Sequence, residues 1–143
     1  WWPGYSNYIW PINYKAIDCV NSIIGHADLL PETSERTELL AQAHALRGYC
    51  YHWLVRLFAG AYNYKPDGPG VILHTEPATA TSEHLPRATV AQVYSQIISD
   101  LTFAYENVSN SNTDYITKQS AALLLARACL DMNDFSNARK YAL

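Results

Sequence analysis

The stretch Glu38–Gly60, ELLAQAHALRGYCYHWLVRLFAG, constrains this chain more than any other. It is the longest helical pattern in the sequence. Apolar side chains recur at Leu39, Ala43, Leu46, Cys50, Trp53 and Leu57 in alternating steps of four and three, which align them on one stripe of a helix. Leu40, Leu54 and Phe58 form a second row, so the helix is expected to be covered on more than one side, as in a stack of helices. No proline interrupts it, and Gly48 is its one internal glycine. Ala59-Gly60 supplies a stop, because glycine takes the left-handed C-terminal conformation at little cost.

The remaining elements read as further helices. Pro11 suits the first position of a helix over residues 12–27, with Ile12, Ala16, Val20, Ile23 and Ala27 as its apolar face. Thr89 and Gln92 form a capping box ahead of a helix over 90–108, whose buried side is expected at Val90, Val93, Tyr94, Ile97, Ile98, Leu101, Ala104, Tyr105 and Val108. Thr117 caps a helix from Lys118 to Met132, Asn133-Asp134-Phe135 is a tight turn, and Ser136–Leu143 begins the next helix. Small Ala122, Ala126 and Ala138 would let these last two helices approach closely, with Phe135 and Tyr141 filling the gaps, as in a tetratricopeptide-like pair. Between the long helix and Thr89, residues 59–88 hold prolines and glycines at Pro66, Gly68, Pro69 and Gly70, which predicts an irregular excursion. Periodicity thus gives an all-α domain of helices stacked in a tetratricopeptide-like scaffold, with one long irregular excursion.

Composition removes several function classes. Nearly half of the 143 residues are apolar, which is incompatible with disorder. The net charge is −3 and the ten Lys and Arg are scattered, so no basic stripe points to nucleic acid. No apolar run approaches the ~20 residues that span a bilayer. Cys19, Cys50 and Cys129 lack CxxC spacing and each lies in an apolar helical pattern, which predicts buried free thiols rather than a disulfide framework or a zinc site. The chain opens abruptly on Trp1-Trp2-Pro3 and stops inside a helical pattern at Leu143; both ends read as cuts, and 1–143 as part of a longer protein.

Catalytic or metal chemistry finds no motif. His44 and His52 are eight residues apart, about 12 Å along a helix, too far to share one metal ion. The acidic residues form no obvious pair of the kind a glycosidase needs, with Asp100 and Glu106 expected to face mainly solvent. Two features suit binding. Tyr62-Asn63-Tyr64 places two tyrosines around an amide, which offers stacking and directional hydrogen bonds to hydroxyl pairs; the same loop could instead anchor itself on the domain. Arg47 would enter a ligand pocket or pair with a carboxylate. The aromatic run Trp1, Trp2, Tyr5, Tyr8 and Trp10 reads either as a stacking platform for sugars or as packing onto the helices behind it.

The run Ala43-x-Ala45-Leu46-Arg47-Gly48-Tyr49-x-Tyr51-x-x-Leu54-Val55-Arg56-Leu57-Phe58-x-Gly60 resembles the signature helix of the SusD/RagB family, glycan-binding lipoproteins of Bacteroidota-type outer membranes. It departs at His44, at Gly48 where alanine is usual, and at Ala59. The resemblance continues in order through Tyr14, Ile17 and Asn21, then Arg87-Ala88-Thr89, Val93 to Ala104, and Thr117 to Leu130. It implies a protein without catalytic residues, metal or cofactor. Such a protein binds oligosaccharide at the cell surface and delivers it to a TonB-dependent, SusC-like transporter. It would be held to the outer membrane by a lipid anchor outside these residues. The loop Tyr62, Asn63, Tyr64 and the signature-helix Arg47 are the glycan-contacting candidates. The alternative is a tetratricopeptide-type protein–protein scaffold with no sugar site.

Overall fold

The computed structural model describes residues 3–79 and 85–143. Among them, five α-helices follow one another: α1 Pro3–Gly25, α2 Ser34–Phe58, α3 Val90–Asn107, α4 Lys118–Asp131 and α5 Phe135–Ala142. Each packs on the next in sequence, the array expected of a tetratricopeptide-like scaffold. Trp1, Trp2 and His84, and the side chain of Tyr5, lie outside the described residues.

Helix α1 begins earlier than its sequence suggests. Pro11 sits inside it, not at its start. Proline cannot donate to the carbonyl one turn back, and near this interruption the Asn13 amide donates to the Ile9 carbonyl at 2.8 Å. Residues 3–10 are thus helical, ahead of the start expected at residue 12. Tyr8 is 68% exposed. Trp10 packs on Tyr14 and on Phe58, with ring centroids 4.9 Å apart in both cases. The buried face of α1 also differs from expectation. Ile17, Val20 and Asn21 are buried, whereas Ile12 and Ile23 are exposed.

Helix α2 shows the largest departure. It starts at Ser34, capped by Thr33, whose hydroxyl accepts from Arg36 N–H. Its buried residues are Ala41, Ala43, Ala45, Arg47, Gly48, Cys50, Tyr51, His52, Leu54 and Val55. The large members of the expected stripe, Leu39, Leu46, Trp53 and Leu57, are all partly exposed. The buried face is small in its first half, at Ala41, Ala45 and Gly48, and large in its second, at Tyr51, Leu54 and Val55; Leu54 belongs to the second row expected from sequence. A β-carbon at Gly48 would lie 2.9 Å from Leu101 Cγ and 3.3 Å from Asp100 Cβ, so glycine sets the close approach of α2 to α3. On α3 the expected face is buried, except that Ile98 and Tyr105 are only partly so, and there is one addition: Asp100, expected in solvent, is 0% exposed.

That burial is made possible by Arg47. Its Nε and Nη2 donate to the two Asp100 oxygens at 2.9 and 2.8 Å, and its Nη1 donates to Asn21 Oδ1 at 2.8 Å and to the Thr75 carbonyl at 3.2 Å. His44 Nδ1 donates to Asp100 Oδ1 at 2.7 Å. Burial alone would raise the Asp100 pKa, but the hydrogen bonds from His44 and Arg47 and the guanidinium charge hold it below the usual carboxylate range. The same cluster fixes the excursion. Asn21 Nδ2 donates to the carbonyls of His74 and Glu76. The Tyr51 hydroxyl accepts from His74 N–H at 2.8 Å and donates to the His74 carbonyl. Burial pushes the Tyr51 phenol up to about 12, which keeps it a neutral donor.

The excursion is not wholly irregular. β1 Pro69–Ile72 pairs antiparallel with β2 Arg87–Thr89. At Gly70 a β-carbon would lie 2.9 Å from the Ala88 carbonyl oxygen, so this glycine permits the strands to meet. Farther along, Gln42 grips the loop before α4 by accepting from Ile116 N–H and donating to its carbonyl, at 2.9 and 2.8 Å. Cys50 and Cys129 are buried as expected, but Cys19 is exposed. Phe135 is 65% exposed and does not fill the gap between α4 and α5; Tyr141 packs edge-on against Tyr105.

Asp100→Asn keeps the side-chain shape but strands a buried guanidinium, and is expected to cost about 3–5 kcal/mol in urea unfolding. Because the folded-state pKa of Asp100 is depressed, its contribution is complete above about pH 3.9 and is lost as pH falls through the lower folded value. Acid titration of the melting temperature should show this loss in the native chain and lack it in the variant. A cost under about 1 kcal/mol contradicts the assignment.

Candidate functional site

Four elements converge at the C-terminal end of α2. Val55, Arg56, Ala59 and Gly60 come from the helix and its stop, and Ala61, Tyr62 and Asn63 from the turn that follows. Tyr94 comes from α3, and Leu130, Asp131 and Asn133 from the end of α4; together they line an open cleft of about 370 Å³. The turn after Gly60 closes on itself, with Tyr64 N–H and Lys65 N–H both donating to the Ala61 carbonyl. This holds Tyr62 inward. Its ring meets Tyr94 edge-on, with centroids 5.2 Å apart.

The opposite rim is built by the stop of α4. Asn133 has φ 61°, a left-handed conformation that asparagine tolerates better than most residues. Asp134 N–H donates to the Cys129 carbonyl and Asn133 N–H to that of Leu130, which is the Schellman arrangement. Asp134 then caps α5 through Asn137 N–H. The chain reversal brings Asn133 into the lining of the same cleft as Asn63.

Asp131 organises the wall. Its Oδ2 accepts from His52 Nε2 at 2.8 Å and from the Tyr94 hydroxyl at 3.2 Å, and Arg56 Nε lies 3.5 Å away. An ionised carboxylate only accepts, so His52 carries its proton on Nε2. Burial lowers the His52 pKa and is opposed by the hydrogen bond and charge of Asp131; the net shift is downward, with the charges of Arg56 and Arg127 adding to it. Burial likewise raises the Tyr94 phenol, helped by the Asp131 charge. At neutral pH the wall therefore presents a neutral imidazole, a neutral phenol, one carboxylate and one guanidinium.

Of the residues singled out from sequence, Tyr62 and Asn63 line this cleft and Tyr64 does not; it is 87% exposed on the outer side of the turn. Arg47 is elsewhere. It lies nine residues before Arg56, hence on the opposite side of α2. It is 4% exposed, with its nitrogens bonded inside the protein. The structural alternative weighed for Arg47 is thus the one its geometry supports. Asp131, Arg56, Tyr94 and Asn133 were not singled out as a site. Their convergence depends on how α4 stops beside α2, and the one local signal was the Asn133-Asp134 turn. A second, more apolar cleft of about 440 Å³ lies among Trp10, Tyr14, Asp18, Ile72, His74, Ala78 and Leu85. Among the described residues it brings fewer polar groups together.

Residues 1–130 match the model of a SusD-like family described as starch-binding associating with outer membrane. The chain belongs to this SusD-like family. Solved structures agree. A putative sugar-binding protein from Bacteroides vulgatus shares 32% identity at a TM-score of 0.86 over 94% of this chain and 31% of its own. A SusD superfamily protein from Bacteroides thetaiotaomicron also shares 32%, at a TM-score of 0.85 over 93% of this chain and 30% of its own. A structure described as with xylogluco-oligosaccharide shares 26%, at a TM-score of 0.78 over 94% and 28%. The SusD-like chain thus spans about a third of the length of the structures it matches. No curated protein matches it.

In this SusD-like chain, His52 is expected to titrate below the free-histidine value of about 6.5, measured by NMR of the ring nitrogens. Its depressed pKa means the unfolded state binds the proton more readily, so stability should fall as pH drops below about 6.5 towards the folded value. A His52 midpoint at or above 6.5 contradicts the wall described here.

Proposed function

We propose that this chain forms the N-terminal helical part of a surface glycan-binding protein of the outer membrane, with the cleft at Tyr62, Asn63, Tyr94 and Asp131 as a saccharide contact. The protein would capture oligosaccharide and pass it to a TonB-dependent, SusC-like transporter, with a lipid anchor supplied outside these residues. The supporting observation is the cleft's lining in a SusD-like chain. An aromatic ring, two rim amides, a carboxylate and a guanidinium surround a space at the small end of ligand pockets, about 300–1,000 Å³. Sugars present C–H faces and paired hydroxyls, and this lining offers a partner for each. The reading requires binding only; it includes no bond-breaking step.

A second reading has its own support. Leu39, Leu46, Tyr49, Trp53 and Leu57 leave an apolar row part-exposed along α2, which is what a protein–protein scaffold would offer a neighbour. Titrating the protein separately with oligosaccharides and with the transporter separates these roles. Asn63 is exposed, so Asn63→Ala should weaken glycan binding at least about tenfold (about 1.4 kcal/mol) with an unchanged melting temperature. Tyr62→Ala should abolish binding and cost about 1 kcal/mol of stability through the lost Tyr94 contact. Glycan affinity unaffected by both substitutions would remove the cleft from the account. Transporter binding with no glycan binding would leave the scaffold reading.

A further inference from the structure

Resting on the reading of the cleft as a glycan contact, we propose that it selects acidic saccharides, with Arg56 as the residue that takes the carboxylate of a uronic acid. Arg56 differs from the other arginines whose partners are described. Arg47 is spent on Asp100 and Asn21. Arg36 faces Asp28 and Glu32. Arg87 donates to the carbonyls of Phe58 and Gly70 and lies over the Trp10 ring. Arg56 lines the cleft, is 41% exposed at its side chain, and makes its approach to Asp131 through Nε, at the long distance of 3.5 Å. Its two terminal nitrogens form the edge that matches a carboxylate through parallel hydrogen bonds.

The neighbouring charges permit a second anion. Asp131 is the acid on the cleft wall, and its Oδ2 already accepts from His52 and Tyr94. Asp134 follows the rim residue Asn133, but its carboxylate accepts from Asn137 N–H and from Asn137 Nδ2, at 3.1 and 2.6 Å. Arg127 lies one turn before Asp131 on α4, and its positive charge is felt at His52. The cleft thus keeps a cation whose neutralising carboxylate is shared among three donors. Asn63 and Asn133 would serve ring hydroxyls, and Tyr62 and Leu130 the C–H faces.

The test is calorimetric titration of the chain with galacturonate and glucuronate oligomers beside their carboxyl-reduced counterparts, which keep linkage and length but lose the charge. The native chain should bind at least one uronate oligomer ten or more times more tightly than its reduced form, with the preference shrinking as salt is raised. Arg56→Gln should weaken binding of the uronate oligomers at least tenfold more than binding of their reduced forms, which erases the preference, and Arg56→Lys should restore part of it. Circular dichroism should show both variants folded. Equal affinity for charged and reduced oligomers overturns the acidic selection and leaves the glycan reading intact. A preference that survives Arg56→Gln removes Arg56 as its source. No binding of charged, reduced or other neutral oligosaccharides overturns the glycan reading as well.

Discussion

The Arg47–Asp100 pair is the interaction from which the rest of the structure follows. A carboxylate and a guanidinium are placed between two helices where neither could stay alone. Each is satisfied by partners from a different element: Asn21 from α1, His44 from α2 and the Thr75 carbonyl from the excursion. The cost of burying the charges is offset only when all of these groups are in place, so the pair fixes register as well as contact. Gly48 belongs to the same device. Its missing side chain lets Leu101 and Asp100 come close enough for the bonds to form.

This pinning has a consequence at the far end of α2. Because the excursion is clamped at His74 to Glu76 and again by the β1–β2 pair, the short turn from Gly60 has little freedom in where it runs. It passes beside α3, and Tyr62 closes on Tyr94. The stop of α4 supplies the other side through Asn133, and Asp131 ties α2, α3 and α4 together at one oxygen. The cleft is therefore a meeting of helix ends. That is where chain reversals leave polar backbone and short polar side chains exposed together.

The sequence carried the order and type of the helices well, because capping at Thr89 and Thr117 and the apolar period of α3 are local signals. It carried the faces of α1 and α2 poorly. Periodicity weighs large apolar residues most, so Leu39, Leu46, Trp53 and Leu57 were read as core. Close packing instead buries Ala41, Ala45 and Gly48 in the first half of the helix and Tyr51, Leu54 and Val55 in the second, and leaves that stripe at the flank. Of the buried residues of α1, Val20 belongs to the apolar stripe, whereas Ile17 and Asn21 belong to the family-like pattern. Asp100 escapes local pattern for a different reason: a charged residue is assigned to solvent unless its partner, 53 positions away, is known. The site was half legible. Tyr62 and Asn63 announced themselves by composition and by following the helix stop. Asp131 and Arg56 gain their meaning from a helix contact that no local spacing records.

The central claim is that saccharide meets this chain at the cleft between the α2 stop and the end of α4. Backbone amide chemical-shift mapping during titration with xylogluco-oligosaccharide and uronate oligomers tests it most directly. The account predicts that the perturbed amides cluster at Arg56, Gly60 to Asn63 and Leu130 to Asn133. Perturbations centred instead on Trp10, Tyr14 and His74, or none with any saccharide, would contradict it.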